Sequence, residues 1–435
     1  MTSTGQPQVR IGVFGLLGSG NLGNDGSLEA VLGHLRTAHP EAVVDALCGG
    51  PDVVTARYGI PATRLHWYRG EYRTASRAGA VAGKGLGKLV DAFRTAAWVR
   101  RHDVVIVPGM GVLEATLPLR PWGFPYALFL LCASGRLVGT RVALVGVGAD
   151  TIRNRSTRAL VGWSARLAAY RSYRDDLSRD AMRAMGVDTG RDRVYPDLAF
   201  ALPTTAAAAS APSDTPDAPD APGSVCVGVM AFHGSDADRD RAEEIHRRYL
   251  DGVTAFVRAL AEEGRTVRLL TGDDVDGAVV AAILDAVGSP LVTAADAASL
   301  ADLMRETAAA DAVVATRYHN LVCALKSGTP TLALSYAAKS DALMDRMGLG
   351  AYCHPAREVD AGRLLEQFRE LEKRAAGLRR TLAERNRTAT AQLADQWAEL
   401  TAALFPTKTK TTSKTKTTSK PKTEHAGSRP RQEAP

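Results

Sequence analysis

Cysteine is scarce in this chain of 435 residues: there are five, at positions 48, 132, 226, 323 and 353, and no two stand at metal-binding or redox spacing. That scarcity excludes a disulfide-stapled fold and a thiolate metal site, and free thiols in apolar surroundings suit a reducing compartment. Long hydrophobic runs are missing as well. The most apolar stretch, Tyr126–Ala133, is too short to span a bilayer and is followed by Arg136, so it reads as a buried helix. The first ten residues hold no apolar core, so the reading is a cytoplasmic chain without a signal peptide. Clusters of His, Cys, Asp and Glu at ligand spacing are not found, and no metal or other cofactor is expected. A large charge excess in the body is the last absence. The formal net charge is +7, but positions 406–435 carry six Lys and two Arg against two Glu, leaving about +1 for everything else. Nucleic acid is therefore not expected as the partner of the folded part.

What is present points to an α/β fold. Hydrophobic residues make up 45% and charged residues 23%, and 40 Gly suit many tight strand-to-helix turns. The length suits two Rossmann-like α/β domains facing a cleft, at 1–202 and 224–405. Between them, 203–223 (PTTAAAASAPSDTPDAPDAPG) is a Pro/Ala/Asp linker that cannot bury enough to fold. The second domain ends in a strongly helical stretch, Leu364–Leu404. The tail at 406–435 repeats Thr, Lys and Ser and is expected to be disordered, either as an inert solubilising segment or in weak electrostatic contact with an anionic membrane face.

The most informative stretch is 311–341. Asp311–Ala315 and Thr331–Leu334 read as strands and Leu321–Leu325 as an amphipathic helix between them, which makes one βαβ unit. Its parallel strands deliver Arg317 and His319, then Ser335, Tyr336 and Lys339, to one carboxyl edge, where open α/β sheets bind ligands. Residues two apart share a face only on extended chain, so if Arg317 and His319 both face a ligand the helix starts near Asn320, as N-cap. The bland alternative is a cap at Thr316, with Arg317 and His319 as ordinary first-turn residues.

Earlier in the chain, a strand at Val9–Phe14 runs into GLLGSGNLGNDGSLEA. Gly18, Gly20 and Gly23 spell the dinucleotide fingerprint, with Asp45 at the end of a second strand, so an NAD site is one reading. Gly18, however, lies four residues past Phe14, whereas a Rossmann turn places its first Gly almost at once after the strand. The other reading is a binding role for Asn21 and the loop N–H groups. Past the strand Asp103–Val107, Gly109 and Gly111 permit close backbone approach to a ligand. Arg174 ends a short strand and either binds an anion or pairs with an Asp. The basic segment 70–101 contacts an anionic acceptor or is a solvated helix. His233, Asp273 and Asp274 are site residues or ordinary loop residues.

The string RYHNLVCALKSGTPTLALSYAAKSDALMDRMGL resembles the C-terminal signature of the polysaccharide pyruvyl transferase family: Arg-x-His, an apolar helix, a Gly-x-Pro turn, an apolar strand and Ser-Tyr-x-x-Lys. GNLGND resembles the family's Gly-Asn-x-Gly-Asp-Glu through Gly20, Asn21 and Gly23, with Asn24 at the family's Asp position and the acid displaced to Asp25. The turn at Gly109 and Gly111, the Arg174-Asp175 segment and the Pro-Asp pair at Asp197 also resemble the family, so the likeness covers most of 9–350. It implies a GT-B-like architecture and transfer of pyruvate from phosphoenolpyruvate to a saccharide or lipid-linked saccharide, as a ketal. A donor with a carboxylate and a phosphate needs several fixed cations, which Arg317, Arg174 and Lys339 can supply. His319 is the expected proton-transfer group, since an unperturbed imidazole titrates near neutrality. The competing classes are a nucleotide-sugar glycosyltransferase of the same fold, an NAD-binding oxidoreductase, and a non-catalytic glycan-binding relative, the last motivated by Asn24.

Overall fold

In the computed structural model, which describes residues 8–67, 77–114, 121–204 and 223–405, strands and helices alternate along the chain. The first part runs β1 (Arg10–Gly15), α1 (Leu22–Ala38), β2 (Val43–Cys48), α2 (Pro51–Tyr58), β3 (Ala62–Arg64), α3 (Arg77–Val99), β4 (Val104–Pro108), α4 (Phe124–Val138), β5 (Arg141–Val147), α5 (Arg155–Leu167), β6 (Tyr170–Tyr173), α6 (Asp176–Ala184) and β7 (Arg193–Val194). The second runs β8 (Ser224–Gly228), α7 (Ala242–Glu262), β9 (Thr266–Leu270), α8 (Gly277–Val287), β10 (Val292–Ala294), α9 (Leu300–Ala308), β11 (Ala312–Ala315), α10 (Tyr318–Lys326), β12 (Thr331–Ser335), α11 (Ala338–Arg346), β13 (Cys353–Pro355), α12 (Ala361–Lys373) and α13 (Ala375–Leu404).

Each part forms one parallel sheet, ordered β3-β2-β1-β4-β5-β6-β7 and β10-β9-β8-β11-β12-β13. Parallel strands need helical crossovers, and helices on both faces bury the strands completely. The runs VVIVP of β4 and AVVA of β11 are accordingly buried at every position. In both sheets the strand order reverses once, between β1 and β4 and between β8 and β11. Those two reversals leave crevices at the carboxyl ends of the strands, which is where such sheets take ligands.

The expected linker lies, but for its ends, outside the described residues, as does the tail at 406–435. No described helix is long and apolar enough to cross a membrane. The helical stretch expected at 364–404 is two helices, broken at Arg374. The break lets Leu364, Phe368 and Leu371 of α12 pack toward α7 while α13 takes another direction. Rather than ending the second domain, α13 returns to the first sheet. Gln396 Nε2 donates to Ser172 Oγ of β6 at 2.8 Å, Arg141 Nη1 of β5 donates to the Leu404 carbonyl at 2.8 Å, and His34 of α1 stacks on Trp397 at 4.4 Å. Its earlier turns hold α10, where Asn386 Nδ2 donates to the carbonyls of Leu325 and Lys326. One apolar core therefore continues from β1, β4 and β5 through α13 into the second sheet.

Leu400, 2% exposed in α13, belongs to that shared core. Leu400→Ala is expected to reduce the unfolding free energy by about 2–4 kcal/mol in urea titrations. An unchanged midpoint would mean that the last turns of α13 are dispensable to the first sheet.

Candidate active site

The two crevices face each other. From β1 the chain passes through its glycine-rich loop into α1, and from β11 it passes through Thr316 and Arg317 into α10. His319 then presses on Gly23: a Cβ placed at Gly23 would stand 2.0 Å from the imidazole Cε1 and Nδ1. Asn21 caps α1, its Oδ1 accepting from the N–H groups of Gly23 and Asn24 at 3.1 and 3.2 Å. Across the cleft its Nδ2 donates to Asp273 Oδ2 at 3.0 Å, and the Leu22 N–H donates to the Gly272 carbonyl at 3.3 Å. Gly20, at φ 88°, lies against the Asp274 carboxylate. The Gly18 N–H donates to Asp25 Oδ1 at 2.7 Å, and burial pushes the Asp25 carboxyl upward against that bond and Arg57.

These contacts correct the reading of a dinucleotide-pyrophosphate site in this loop. The donors are consumed by Asn21 and Asp25, and Asp273 and Asp274 approach from the other side, so a pyrophosphate would meet carboxylates instead of N–H groups. Asp45, which the dinucleotide reading places at a ribose, accepts from Trp98 Nε1 at 2.8 Å and pairs with His102 at 3.0 Å. The loop is a seam between the two halves.

Beside the seam lies a buried charge cluster. Glu114, from the turn after β4, pairs with Arg174 past the end of β6 and, at 2.9 Å, with Lys339 of α11. Burial alone would raise the Glu114 carboxyl, but Arg174 and Lys339 overcome it and hold it down at about 2. Arg174 also lies 3.8 Å from Asp197 and 3.6 Å from Asp175, and its guanidinium sits over the Tyr318 ring at 4.6 Å. Gly111 and Gly148 make room for the pair, since a Cβ at either would come within 2.7 Å of the Glu114 carboxylate. The turn that carries Glu114 is strained: Met110 has φ 62°, and Gly109, at φ 47°, is packed on Ser27 and does not face a ligand.

His319 stands 3.9 Å from Asp197 through Nε2, with 16% of its side chain exposed. Burial lowers its pKa to about 4, with Asp197 pulling it up and Arg174 and Lys339 adding to the depression. The expectation of an imidazole poised near neutrality is thereby corrected: in this arrangement His319 is a neutral base. The helix start is corrected too. Arg317 is the N-cap and α10 begins at Tyr318, so Arg317 and His319 point to different places. Arg317 turns back into its own half, where its Nε and Nη2 grip both oxygens of the fully buried Asp276 at 2.8 and 2.6 Å. Asn320, expected as the cap, is fully buried between Gly228 and Gly272, with neither amide atom bonded.

The remaining expected residues divide. Ser335 ends β12, its hydroxyl donating to the Ala337 carbonyl at 3.4 Å, and Tyr336 packs near Phe232, with Lys339 5.8 Å from its ring. His233 lies apart, exposed and stacked on His246. An open cavity of about 350 Å³ adjoins the cluster, lined by Arg174, Asp197, Tyr318 and Lys339 together with Arg346 of α11 and Arg385 of α13. Asp175 and Asp176 line it as well, whereas His319 does not. Sequence reasoning missed Glu114, Asp276, Arg346 and Arg385. Only Glu114 left a signal, as a lone acid in the apolar, glycine-rich stretch PGMGVLEA past the end of a buried strand.

A family model for polysaccharide pyruvyl transferase matches residues 21–337, a span that holds Asn21, Glu114, Arg174, Asp197, Arg317 and His319. The chain belongs to the polysaccharide pyruvyl transferase family. Comparison with curated proteins gave no match. Among solved structures, the UDP-GlcNAc 2-epimerase of Neisseria meningitidis bound to UDP-GlcNAc is similar at TM-score 0.57 and 11% identity, over 91% of this chain and 99% of that one. A glycosyltransferase of Rickettsia africae ESF-5 is similar at TM-score 0.56 and 8% identity, over 92% and 100%. The UDP-GlcNAc 2-epimerase of Methanocaldococcus jannaschii follows at TM-score 0.53 and 8% identity, over 83% and 92%. At these identities the likeness is one of fold: two Rossmann-like halves in the GT-B arrangement.

Two expectations follow for this transferase-family chain. Gly23→Ala inserts a methyl group into the His319 ring and should lower the melting temperature, although alanine favours helix. Gly33→Ala, in the same helix with nothing within 4 Å, should raise it slightly; equal effects would show that the seam is loose. The second concerns pH. A histidine whose folded pKa is about 4 against 6.5 unfolded leaves stability whole above about 6.5 and lost as pH falls toward 4, because the unfolded chain takes the proton first. His319→Gln should flatten that part of the stability-against-pH curve, and identical slopes in the two proteins would count against a sealed, neutral imidazole.

Proposed function

We propose that the chain transfers a pyruvyl unit from phosphoenolpyruvate to two hydroxyls of one sugar residue, forming a cyclic ketal and releasing phosphate. The observation that carries this reading is the cavity beside the Glu114 cluster, where Arg174, Lys339, Arg346 and Arg385 converge on one concave site in a chain of this family. A small donor bearing a carboxylate and a phosphate suits four cations at fixed positions, and arginine forks match both groups.

The chemistry assigns roles to the chain's own groups. Protonation of the enol carbon creates an oxocarbenium-like centre, one hydroxyl adds, phosphate leaves and the second hydroxyl closes the ketal. The two hydroxyl protons are accounted for by the new methyl group and the departing phosphate. A base near the reacting hydroxyls is needed, and His319 is neutral and free to accept. It stands behind the cavity lining, 3.9 Å from the lining residue Asp197, and an anionic donor bound there raises its pKa toward the working range. Arg317 acts at one remove: clamped on Asp276, it fixes the turn that aims α10 and hence His319.

Against nucleotide-sugar transfer stands the need for a different donor, and against dinucleotide binding stands the acid-lined loop at Gly18–Gly23. The test is phosphate release from phosphoenolpyruvate in the presence of a saccharide acceptor, with a UDP-sugar and NAD as the competing donors. Arg385→Ala, on an exposed helix face, should raise KM for phosphoenolpyruvate by roughly tenfold or more with kcat less affected. His319→Gln should instead lower kcat by roughly a hundredfold. Turnover of a UDP-sugar without phosphoenolpyruvate would overturn the proposal, and normal kcat in His319→Gln would remove the imidazole from the mechanism.

A further inference from the structure

One face of the first half departs from ordinary surface chemistry. Eleven large hydrophobic side chains are exposed among the described residues, and eight of them belong to α3, α4, α5 and their flanks. On α3, Leu86, Leu89 and Phe93 recur at helical spacing and are 57%, 60% and 78% exposed, so they make one stripe. Trp67 and Trp122 extend it. The Trp67 N–H donates to Asp91 Oδ1 of α3 at 2.8 Å, and Trp122 lies 5.7 Å from the Tyr126 ring, which in turn carries Lys88 Nζ of α3 at 5.9 Å. Leu137, 85% exposed, lies on α4, which packs on α3, and Trp163, 54% exposed, lies on α5, which packs on α4.

The charge on this face is of one sign. Among their described side chains, helices α3, α4 and α5 hold six Lys and Arg and a single acid, Asp91, whose carboxylate is buried under His66, Lys88 and Arg94. Exposed apolar and aromatic side chains flanked by lysine and arginine are what an interfacial helix presents to anionic headgroups, its rings at the boundary and its cations among the phosphates. A second copy of the chain is a poorer occupant, because a two-fold contact would set this excess of positive charge against itself.

We propose that the α3–α4–α5 face is a docking surface for an anionic lipid bilayer. Its position is suited to the site. Glu114 in the cleft and Trp122 on the apolar face both belong to the β4–α4 connection, and Trp67 and Trp122 both stand past the carboxyl ends of their strands, the edge at which the cleft opens. A bilayer held there would bring a saccharide on a lipid carrier to the mouth of the cleft. That last step rests on the pyruvyl-transfer reading; attachment to lipid does not.

The test is co-flotation of the full chain with vesicles of phosphatidylcholine alone and of phosphatidylcholine with phosphatidylglycerol. The chain should float with the anionic vesicles only, and less as salt is raised. The double substitution Leu89→Glu and Phe93→Glu should cut that partition by about tenfold or more while melting at the wild-type temperature, since both side chains are exposed. No flotation of the wild-type chain would overturn the proposal, as would equal flotation of the double variant, which would assign binding to the basic tail common to both. A wild-type dimer in sedimentation that the double variant abolishes would also overturn it, by making the face a self-interface. None of these readouts uses turnover, so a failed pyruvyl-transfer assay and a failed docking surface are separately visible.

Discussion

A buried carboxylate with two cations on it holds the two halves of this protein in register. Glu114 comes from the first sheet, Lys339 from a helix of the second, and Arg174 from the first again, so the pair cannot form unless the cleft walls stand at one separation. An unpaired carboxylate at that depth costs several kcal/mol, and the two cations remove the penalty only while both remain close. The glycines at 111 and 148 and the strained turn at Gly109 and Met110 are consequences of that requirement, since the backbone must pass close enough to hold the ions. Compensated charge of this kind contributes little net stability, and its value is in geometry.

The same compensation shapes what a ligand encounters. Arg174 meets Glu114, Asp197 and Asp175, and Arg317 is neutralised by Asp276, so the cleft presents fixed dipoles more than bare positive charge. An anionic donor binds by sharing cations whose desolvation has already been compensated in the empty protein. Such preorganisation is where electrostatic catalysis draws its strength, because little reorientation is left for the reaction itself. The less encumbered cations lie at the rim: Arg346 donates to two backbone carbonyls, and Arg385 is exposed on α13.

Much of the fold was legible because strand and helix periods are local properties. Runs such as Val104–Val107 and Ala312–Ala315 read as buried strands, and the βαβ unit at 311–341 sets Ser335 at the end of β12 and Lys339 just past it. The site was less legible because its chemistry is made of pairs far apart in sequence. Glu114 and Lys339 are separated by 225 positions, and Arg317 and Asp276 by 41, so neither partner announces the other. Three residues in the placement of a helix cap, Arg317 in place of Asn320, decided the rest. With α10 capped at Arg317, not at Asn320, Arg317 turns to Asp276 and His319 to Gly23, so a shared face became two separate contacts. The return of α13 onto the first sheet was equally hidden, since an amphipathic helix shows that a stripe is buried but not against what.

The sealed state of His319 then follows from the seam. Its ring lies against Gly23, a residue of α1 that offers no side chain, and it loses solvent on that side while Arg174 and Lys339 disfavour its charged form on the other. A general base that stays neutral until an anion arrives holds no proton prematurely, and the charge of the donor itself shifts it toward accepting one. Binding and proton transfer are in this way coupled through one electrostatic cluster. Asp197, between the imidazole and the cavity wall, is the group whose position decides how strongly, because it is near enough to stabilise the imidazolium and already engaged with Arg174.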